Sequence, residues 1–337
     1  MRGAHLPTQS LRLNQRTQKF PDFTMHITEL PTEIVEEILV QCDPSEVAKA
    51  AQTCSSLRTL IYSSQDSKLW RDLYLAQPFD DLRRCVSRYG QPAQLNWKRN
   101  LQRLFRARQV VANLSLLKSG ELEEILQSLL MMVHYHPSWP SNTDKTAVPS
   151  LNLRWIAGIL QQHGFIDQVE DSAISLTFSE RQLLAQLHCY YGLTEKDMKH
   201  RSRVDSRVYV YTMRNYGPEN EYGPLLSNGA VNWVHMQALH HVVSMHLVDM
   251  REAGLVIPLF PMSLSEMQVV IPVEEEGKEN EDWLGLEGSW VVSFCFCDHR
   301  DLLSEFSSDP YYSVDAELFF RIQRSECTSH VCLYGGV

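Results

Sequence analysis

The sequence predicts an α+β protein built from a small N-terminal helical module, a helical linker and a mixed α/β C-terminal domain. Apolar residues recur at helical spacing through residues 26–77 and again through residues 114–133. Further along, a strand-like alternation at 207–211 accompanies three helix-like segments, 151–162, 179–188 and 233–250. A chain of 337 residues, 44% of them apolar, is long enough to form two cores.

The composition indicates an intracellular protein whose partners are proteins. A net charge of -10 argues against a dedicated nucleic-acid or membrane-surface protein. No apolar run approaches the roughly 18 residues that span a bilayer, and the first 25 residues lack the apolar stretch of a secretory signal. We therefore expect a cytoplasmic and/or nuclear location, with the eight cysteines reduced. Residues 1–25 are expected to be disordered or an over-extended start.

The pattern of residues 26–77 predicts three or four short helices around one small core. Pro31 suits the first turn of a helix, and apolar residues follow at one-face spacing: Ile34, Val35, Ile38 and Leu39. Asp43, Pro44 and Glu46 then supply a cap acceptor, a first-turn proline and an acid for a second helix. Because a unit of about 50 residues buries too little apolar surface to be robust alone, a partner surface is expected here.

The same module resembles the F-box. The match in identity and spacing consists of Leu30-Pro31-Thr32-Glu33-Ile34, then Ile38-Leu39, Val47, Cys54, Leu57 and Leu69-Trp70. One departure is the pair Ser55 and Ser56, where the F-box pattern usually has large aromatic or basic residues after the cysteine. The ordered match along the chain favours an F-box over an ordinary three-helix bundle that uses the same residues only as its core.

The resemblance implies a fungal-type F-box protein that is the substrate receptor of a Skp-cullin-F-box ubiquitin ligase. Its partners would be a Skp-family adaptor, a cullin-RING ligase reached through that adaptor, and an unidentified target protein, with no nucleic acid and no membrane. It would be a non-catalytic subunit without a cofactor. The residues implied in the core of the module or in its adaptor-facing surface are Leu30, Pro31, Ile34, Ile38, Val47, Leu57 and Trp70. A non-degradative scaffold that binds the same adaptor is an alternative.

Residues 78–140 are expected to form a helical linker with one strongly basic stretch. Residues 82–108 contain eight basic residues and no acid. Arg99, Arg103 and Arg106 fall at helical spacing after Asn96, which can cap the helix, and apolar residues occupy the opposite face. A solvated helix face is the favoured interpretation, with a phosphate or nucleic-acid site as the alternative.

The C-terminal half is expected to recruit the target. Residues 150–272 predict the mixed α/β substrate-recruiting domain, residues 273–287 an acidic loop, and residues 288–337 a strand-rich segment. This half is similar to the downstream part of fungal F-box proteins, and Gly288 and Trp290 resemble the first strand of a calycin-type barrel. Too few residues follow Trp290 to close an eight-stranded sheet, so the strand would join another sheet or belong to a truncated barrel.

Cys295, Cys297 and His299 are the candidates for a metal site, although no metal is predicted. Thiolates and imidazoles are ligands of tetrahedral zinc, and a second set follows further on: Cys327, His330 and Cys332. Alternate residues of a strand nevertheless also share one face when that face is simply buried, and the spacing is not that of a common zinc module. A zinc-binding or metal-dependent enzyme on the C-terminal domain is therefore the alternative function.

Overall fold

The computed structural model describes residues 27–63, 68–140, 150–252 and 270–271. The chain divides into two compact units, Met1–Leu69 and Trp70–Val337. The division falls inside a helix, α4, which spans Lys68–Leu75. The domain boundaries predicted at residues 78, 140 and 150 remain predictions.

The described part of the first unit is helical. After a 3₁₀ turn at Ile27–Glu29 it contains α1 (Thr32–Val40), α2 (Pro44–Thr53), α3 (Ser55–Ser63) and the first residues of α4. The predicted cap of α2 is confirmed, because the Asp43 carboxylate accepts a hydrogen bond from the Ser45 N–H at 2.9 Å and Pro44 is the first helical residue. α2 packs against α3. The first unit is thus a set of short helices around a small core of buried residues: Val35, Leu39, Val47, Ala51, Leu57, Ile61 and Leu69.

The second unit is mostly helical in its described part. Its helices after α4 are α5 (Trp97–Ala112), α6 (Leu122–His134), α7 (Leu151–His163), α8 (Phe165–Asp171), α9 (Phe178–Tyr191), α10 (His200–Tyr211) and α11 (Trp233–Glu252). Its strands are β1 (Cys85–Val86), β2 (His136–Pro137), β3 (Trp139–Pro140) and β4 (Val270–Ile271). β1 pairs antiparallel with β2, with Cys85 opposite Pro137, and β3 pairs parallel with β4, with Trp139 opposite Val270.

The core of the second unit lies where α6 contacts α5, α7 and α9. The Asn96 side chain caps α5 by accepting from the Arg99 N–H at 3.1 Å, as the sequence predicts. Fully buried side chains then follow the inner faces of α5 and α6: Leu101, Leu104, Ile125, Leu126 and Leu129. α9 continues the packing to α11, which also contacts α10. The helices thus form a series in which each element covers the next.

A buried aspartate ties the start of α7 to residues just after α4. The Asp80 carboxylate accepts hydrogen bonds from the Ser150 hydroxyl at 2.5 Å and from the backbone N–H groups of Leu151 at 3.1 Å and Asn152 at 3.0 Å. The Asp80 N–H donates to the Asn152 side-chain oxygen at 2.9 Å in return. Because the first N–H groups of a helix have no partner within it, these contacts satisfy the N-terminus of α7 from a distant part of the chain.

The prediction of a strand at residues 207–211 is wrong, because this segment is the last part of α10. Helical hydrogen bonding continues to the Thr212 N–H, which donates to the Val208 carbonyl at 3.1 Å. Alternating valine and tyrosine residues favour a strand only where a neighbouring strand can pair with them. Here α10, which contains the segment, packs against α11 instead. The helix predicted through 114–133 begins only at Leu122, since Gly120 adopts a positive φ of 74° just before it.

Other expectations for the fold are confirmed. The helices predicted at 151–162, 179–188 and 233–250 correspond to α7, α9 and α11. The helical N-terminal module is present. The two short two-stranded sheets beside the helices of the second unit agree with the predicted α+β class. Across the described residues, no helix is both long and apolar enough to cross a membrane. The predictions for residues 1–25, 273–287 and 288–337 lie outside the described residues.

Candidate protein-interaction surface

Pro31 sets the start of α1. Pro31 lies directly before the first helical residue, with a φ of -50°, and its carbonyl accepts from the N–H groups of Ile34 at 3.0 Å and Val35 at 3.2 Å. A proline has no N–H of its own and a fixed φ, so it suits this position without loss of a hydrogen bond. The side chains that follow are thereby held in a defined rotation around the helix axis.

α1 carries apolar side chains on two faces. Val35 and Leu39, one turn apart, are 3% and 4% exposed and belong to the core. Ile34 and Ile38, also one turn apart, are 48% and 41% exposed. A helix on the surface of a protein usually has one apolar face and one polar face. The isoleucine face of α1, defined here as Ile34 and Ile38, is therefore apolar surface that the described residues leave in contact with water.

Carboxylates border the isoleucine face. Glu33 and Glu37 are exposed and lie one turn apart on the neighbouring stripe of α1. Exposed Glu29 precedes the helix, and half-buried Glu36 lies 3.9 Å from the Lys68 ammonium. An apolar strip beside acids suits a protein partner with an apolar contact and basic residues around it.

The seven predicted site residues fall into a surface group and a buried group. Ile34, Ile38 and Pro31 are exposed and Leu30 is half-buried, so these four reach the surface. Val47, Leu57 and Trp70 are buried in the structure. The Lys98 ammonium lies over the Trp70 ring at 5.6 Å from its centre. Whether the first group contacts an adaptor stays a prediction.

A buried ionic cluster in the second unit was not anticipated from the sequence. His188 of α9 lies between two carboxylates, with its Nε2 2.8 Å from Asp197 and its Nδ1 3.3 Å from Glu170. Burial opposes protonation of His188, but the hydrogen bonds and charges of Asp197 and Glu170 outweigh it and raise the pKa of His188 to about 9. The Lys196 ammonium binds Glu170 at 3.1 Å from the other side. Burial opposes the charged form of Glu170 and Asp197, but the pKa of each is lowered, that of Glu170 by His188 and Lys196 and that of Asp197 by His188 and the Thr194 N–H.

The neighbouring serine and histidine do not complete a catalytic triad. The Ser206 hydroxyl lies 2.7 Å from Nδ1 of His241, whereas the serine of such a triad bonds Nε2. The other ring nitrogen of His241 lies 2.9 Å from the backbone carbonyl of Asp197 and not from a carboxylate. The Asp197 carboxylate is instead occupied by His188 and by Thr194. The cluster is therefore suited to holding α9 and α11 together.

The candidate metal ligands Cys295, Cys297 and His299 lie outside the described residues. Within the described ranges, no group of three or more His, Cys, Asp or Glu residues is arranged to hold a metal ion. Burial raises the pKa of the Cys85 and Cys189 thiols to about 12, so neither is a reactive thiolate at neutral pH.

Comparison with known proteins gives one match. Residues 27–76 match the family model described as F-box-like. These residues contain α1 to α4 and hence the isoleucine face. No curated protein and no solved structure is significantly similar to the chain.

Proposed function

We propose that this chain, an F-box protein through its domain at residues 27–76, binds a Skp-family adaptor and is the substrate receptor of a Skp-cullin-F-box ubiquitin ligase. The observation that carries the proposal is the isoleucine face, since it lies in the matched domain and is apolar without being part of the core. An F-box domain is a protein-interaction module, and an exposed apolar strip on its first helix is the kind of surface that such a module needs.

The adaptor would cover Ile34 and Ile38 and contact the adjoining residues Leu30 and Pro31. Removing apolar side chains from water is the main favourable term in protein association, and a few central side chains carry most of it. The buried residues Val47, Leu57 and Trp70 would act indirectly, as buried residues of the matched domain. The surface group would thus bind the adaptor, and the buried group would maintain the module.

The chemistry of ubiquitin transfer would come from other subunits. A receptor that holds a target beside a ubiquitin-loaded enzyme raises the effective concentration of the target and does not itself react. We infer that the second unit selects the target and that the complex works in the cytoplasm and/or the nucleus. The chain would then need neither a catalytic residue nor a cofactor.

Adaptor binding is tested with the double variant I34A/I38A of the full-length chain. We expect it to bind a purified Skp-family adaptor about 1–3 kcal/mol more weakly than the wild type, which is about 5-fold to 150-fold in Kd. Its melting temperature should stay nearly unchanged, because substitutions of exposed residues usually change stability by less than about 0.5 kcal/mol. The matched control is I174A, which removes an isoleucine that is also exposed but lies in the second unit. Equal affinity of wild type and I34A/I38A would contradict the proposed surface.

Receptor activity is tested by affinity purification of the same proteins from cells. The wild type should copurify adaptor, cullin and target, whereas I34A/I38A should lose adaptor and cullin and retain the target. A target whose half-life is the same with the wild type and with I34A/I38A would favour the scaffold alternative over a receptor for degradation. Copurification of cullin with I34A/I38A at the wild-type level would exclude assembly through the isoleucine face.

A further inference from the structure

Two arginine–glutamate pairs form a regular ladder between α5 and α6. Arg106 binds Glu121 through Nε at 2.6 Å and through a terminal amino group at 2.7 Å. Three residues earlier on α5 and three later on α6, Arg103 binds Glu124 at 2.7 Å. One turn further along, four residues from each partner of this pair, lie Arg99 on α5 and Ser128 on α6. The third position of the ladder therefore has an arginine but no carboxylate facing it.

The arginines at this end of the ladder retain unused hydrogen-bond donors. The Arg99 guanidinium is exposed and forms no ion pair within the described ranges. Arg103 contacts Glu124 through Nε alone, so its two terminal amino groups have no partner among the residues that the structure describes. Ser128 brings no negative charge to face these arginines, and its hydroxyl donates to the Glu124 carbonyl at 2.6 Å.

Two adjoining cavities open at these unused donors. A cavity of about 260 Å³ lies between α5 and α6 and is lined by Arg99, Arg103 and Ser128, among others. A second cavity of about 160 Å³ shares Arg99 and Arg103 and is also lined by Gln94 and Asn100. Both are larger than the roughly 30 Å³ that a water molecule occupies in the liquid, so a small group of several atoms fits.

We propose that Arg99 and Arg103 form a binding site for an oxyanion, either a phosphate or a carboxylate group of a ligand. A guanidinium presents parallel N–H donors that match the two oxygens of such a group, and the bidentate contact is shorter and stronger than a neutral hydrogen bond. The ligand would supply the negative charge that Glu121 and Glu124 supply at the other two positions of the ladder. The other arginines of the basic stretch are mainly used within the fold: Arg83 binds Asp81, and Arg106 binds Glu121.

The site is tested on the full-length chain by NMR of the arginine Nε–H groups during titration with inorganic phosphate and, separately, with acetate. The wild type should show saturable shifts of the Arg99 and Arg103 signals. The variant R99Q should bind at least about tenfold more weakly, because it loses the charged fork. The control R84Q removes another exposed arginine, which lines neither cavity, and its Kd should stay within about twofold of the wild type.

The comparison of the two titrations identifies the group that the site prefers. If the binding that R99Q weakens is stronger for phosphate than for acetate, the preferred ligand group is a phosphate. If it is stronger for acetate, the preferred group is a carboxylate. Absence of saturable binding of both anions would overturn the proposal, and so would an equal loss of binding in R84Q and R99Q. Adaptor binding measured on the same preparations separates this result from the proposed function, because R99Q leaves the isoleucine face intact.

Discussion

The buried histidine of the ionic cluster makes a specific contribution to stability that depends on pH. His188 is 3% exposed, and its pKa of about 9 in the folded protein lies above the ordinary value of 6.5. The charged and polar groups that face it are Asp197, Glu170 and the amide of Gln237, which lies 2.6 Å from Nδ1. Since the folded state holds the proton more tightly than the unfolded state, protonation of His188 stabilises the fold. This stabilisation is complete below pH 6.5 and is lost as the pH rises toward 9.

The size of the effect follows from the difference between the two pKa values. One pKa unit corresponds to about 1.4 kcal/mol, so the protonated cluster contributes about 3 kcal/mol to the free energy of unfolding near pH 6. About 2 kcal/mol of this should disappear between pH 6.5 and pH 8.5. The lowered pKa values of Asp197 and Glu170 act at the opposite end, because their stabilisation is lost as the pH falls through those folded-state values. They therefore contribute little within this window.

Urea unfolding of the full-length chain at several pH values, followed by tryptophan fluorescence, measures the loss. Hydrogen exchange of the α9 amides at the same pH values locates it at His188. In the variant H188Q, the free energy of unfolding should be nearly constant between pH 6.5 and 8.5, whereas the control H200Q, at an exposed histidine of the same unit, should follow the wild type. A wild-type stability that does not change across this window, or an equal change in H188Q, would refute the reasoning.

Two further predictions concern the second unit and the cysteine-rich end. D80A should lower the free energy of unfolding by about 3 kcal/mol in urea, because it removes the acceptor of three donors at the start of α7, two of them buried, whereas D81A, at a partly exposed ion pair, should cost about 1 kcal/mol or less. A loss below about 1 kcal/mol in D80A would contradict its role at α7. Protein purified without added zinc should contain no stoichiometric metal and should melt at the same temperature with and without a chelator, because the spacing of Cys295, Cys297 and His299 is not that of a common zinc module. One zinc per chain with chelator-sensitive melting would instead support the metal-dependent alternative.

The parts of the fold that the sequence predicts well are those fixed by neighbouring residues. Asp43 and Asn96 cap α2 and α5 as expected, because a cap is formed within a few residues of the helix that it begins. The segment at 207–211 fails for the opposite reason, since its alternating valines and tyrosines suit either a strand or a helix, and contact with α11 decides between them. A capping residue therefore fixes a helix start more reliably than apolar periodicity does, since the periodicity at 114–133 misplaced the start of α6.

The two charged sites of the second unit also differ in how far the sequence predicts them. The ladder between α5 and α6 leaves a signal in the sequence, because Arg103 and Arg106 have the same spacing as Glu121 and Glu124 on the next helix. The cluster around His188 leaves none, since Glu170 and Asp197 approach it only after α8, α9 and the following turn have folded back on each other. In the sequence, the basic stretch suggests only a helix face in contact with solvent. The pairing between α5 and α6 is needed to show that Arg99 lacks the glutamate partner that Arg103 and Arg106 have.

The two apolar faces of α1 separate folding from binding within one helix. Val35 and Leu39 are buried and already provide the stripe that α1 needs in order to pack. Ile34 and Ile38 add apolar surface that contributes little to the core, because nearly half of each side chain remains exposed. If these isoleucines served the fold alone, truncating them would lower stability and leave adaptor affinity unchanged. If they form a binding surface, truncation leaves stability nearly unchanged and lowers affinity, so measuring both quantities on I34A/I38A distinguishes the two roles.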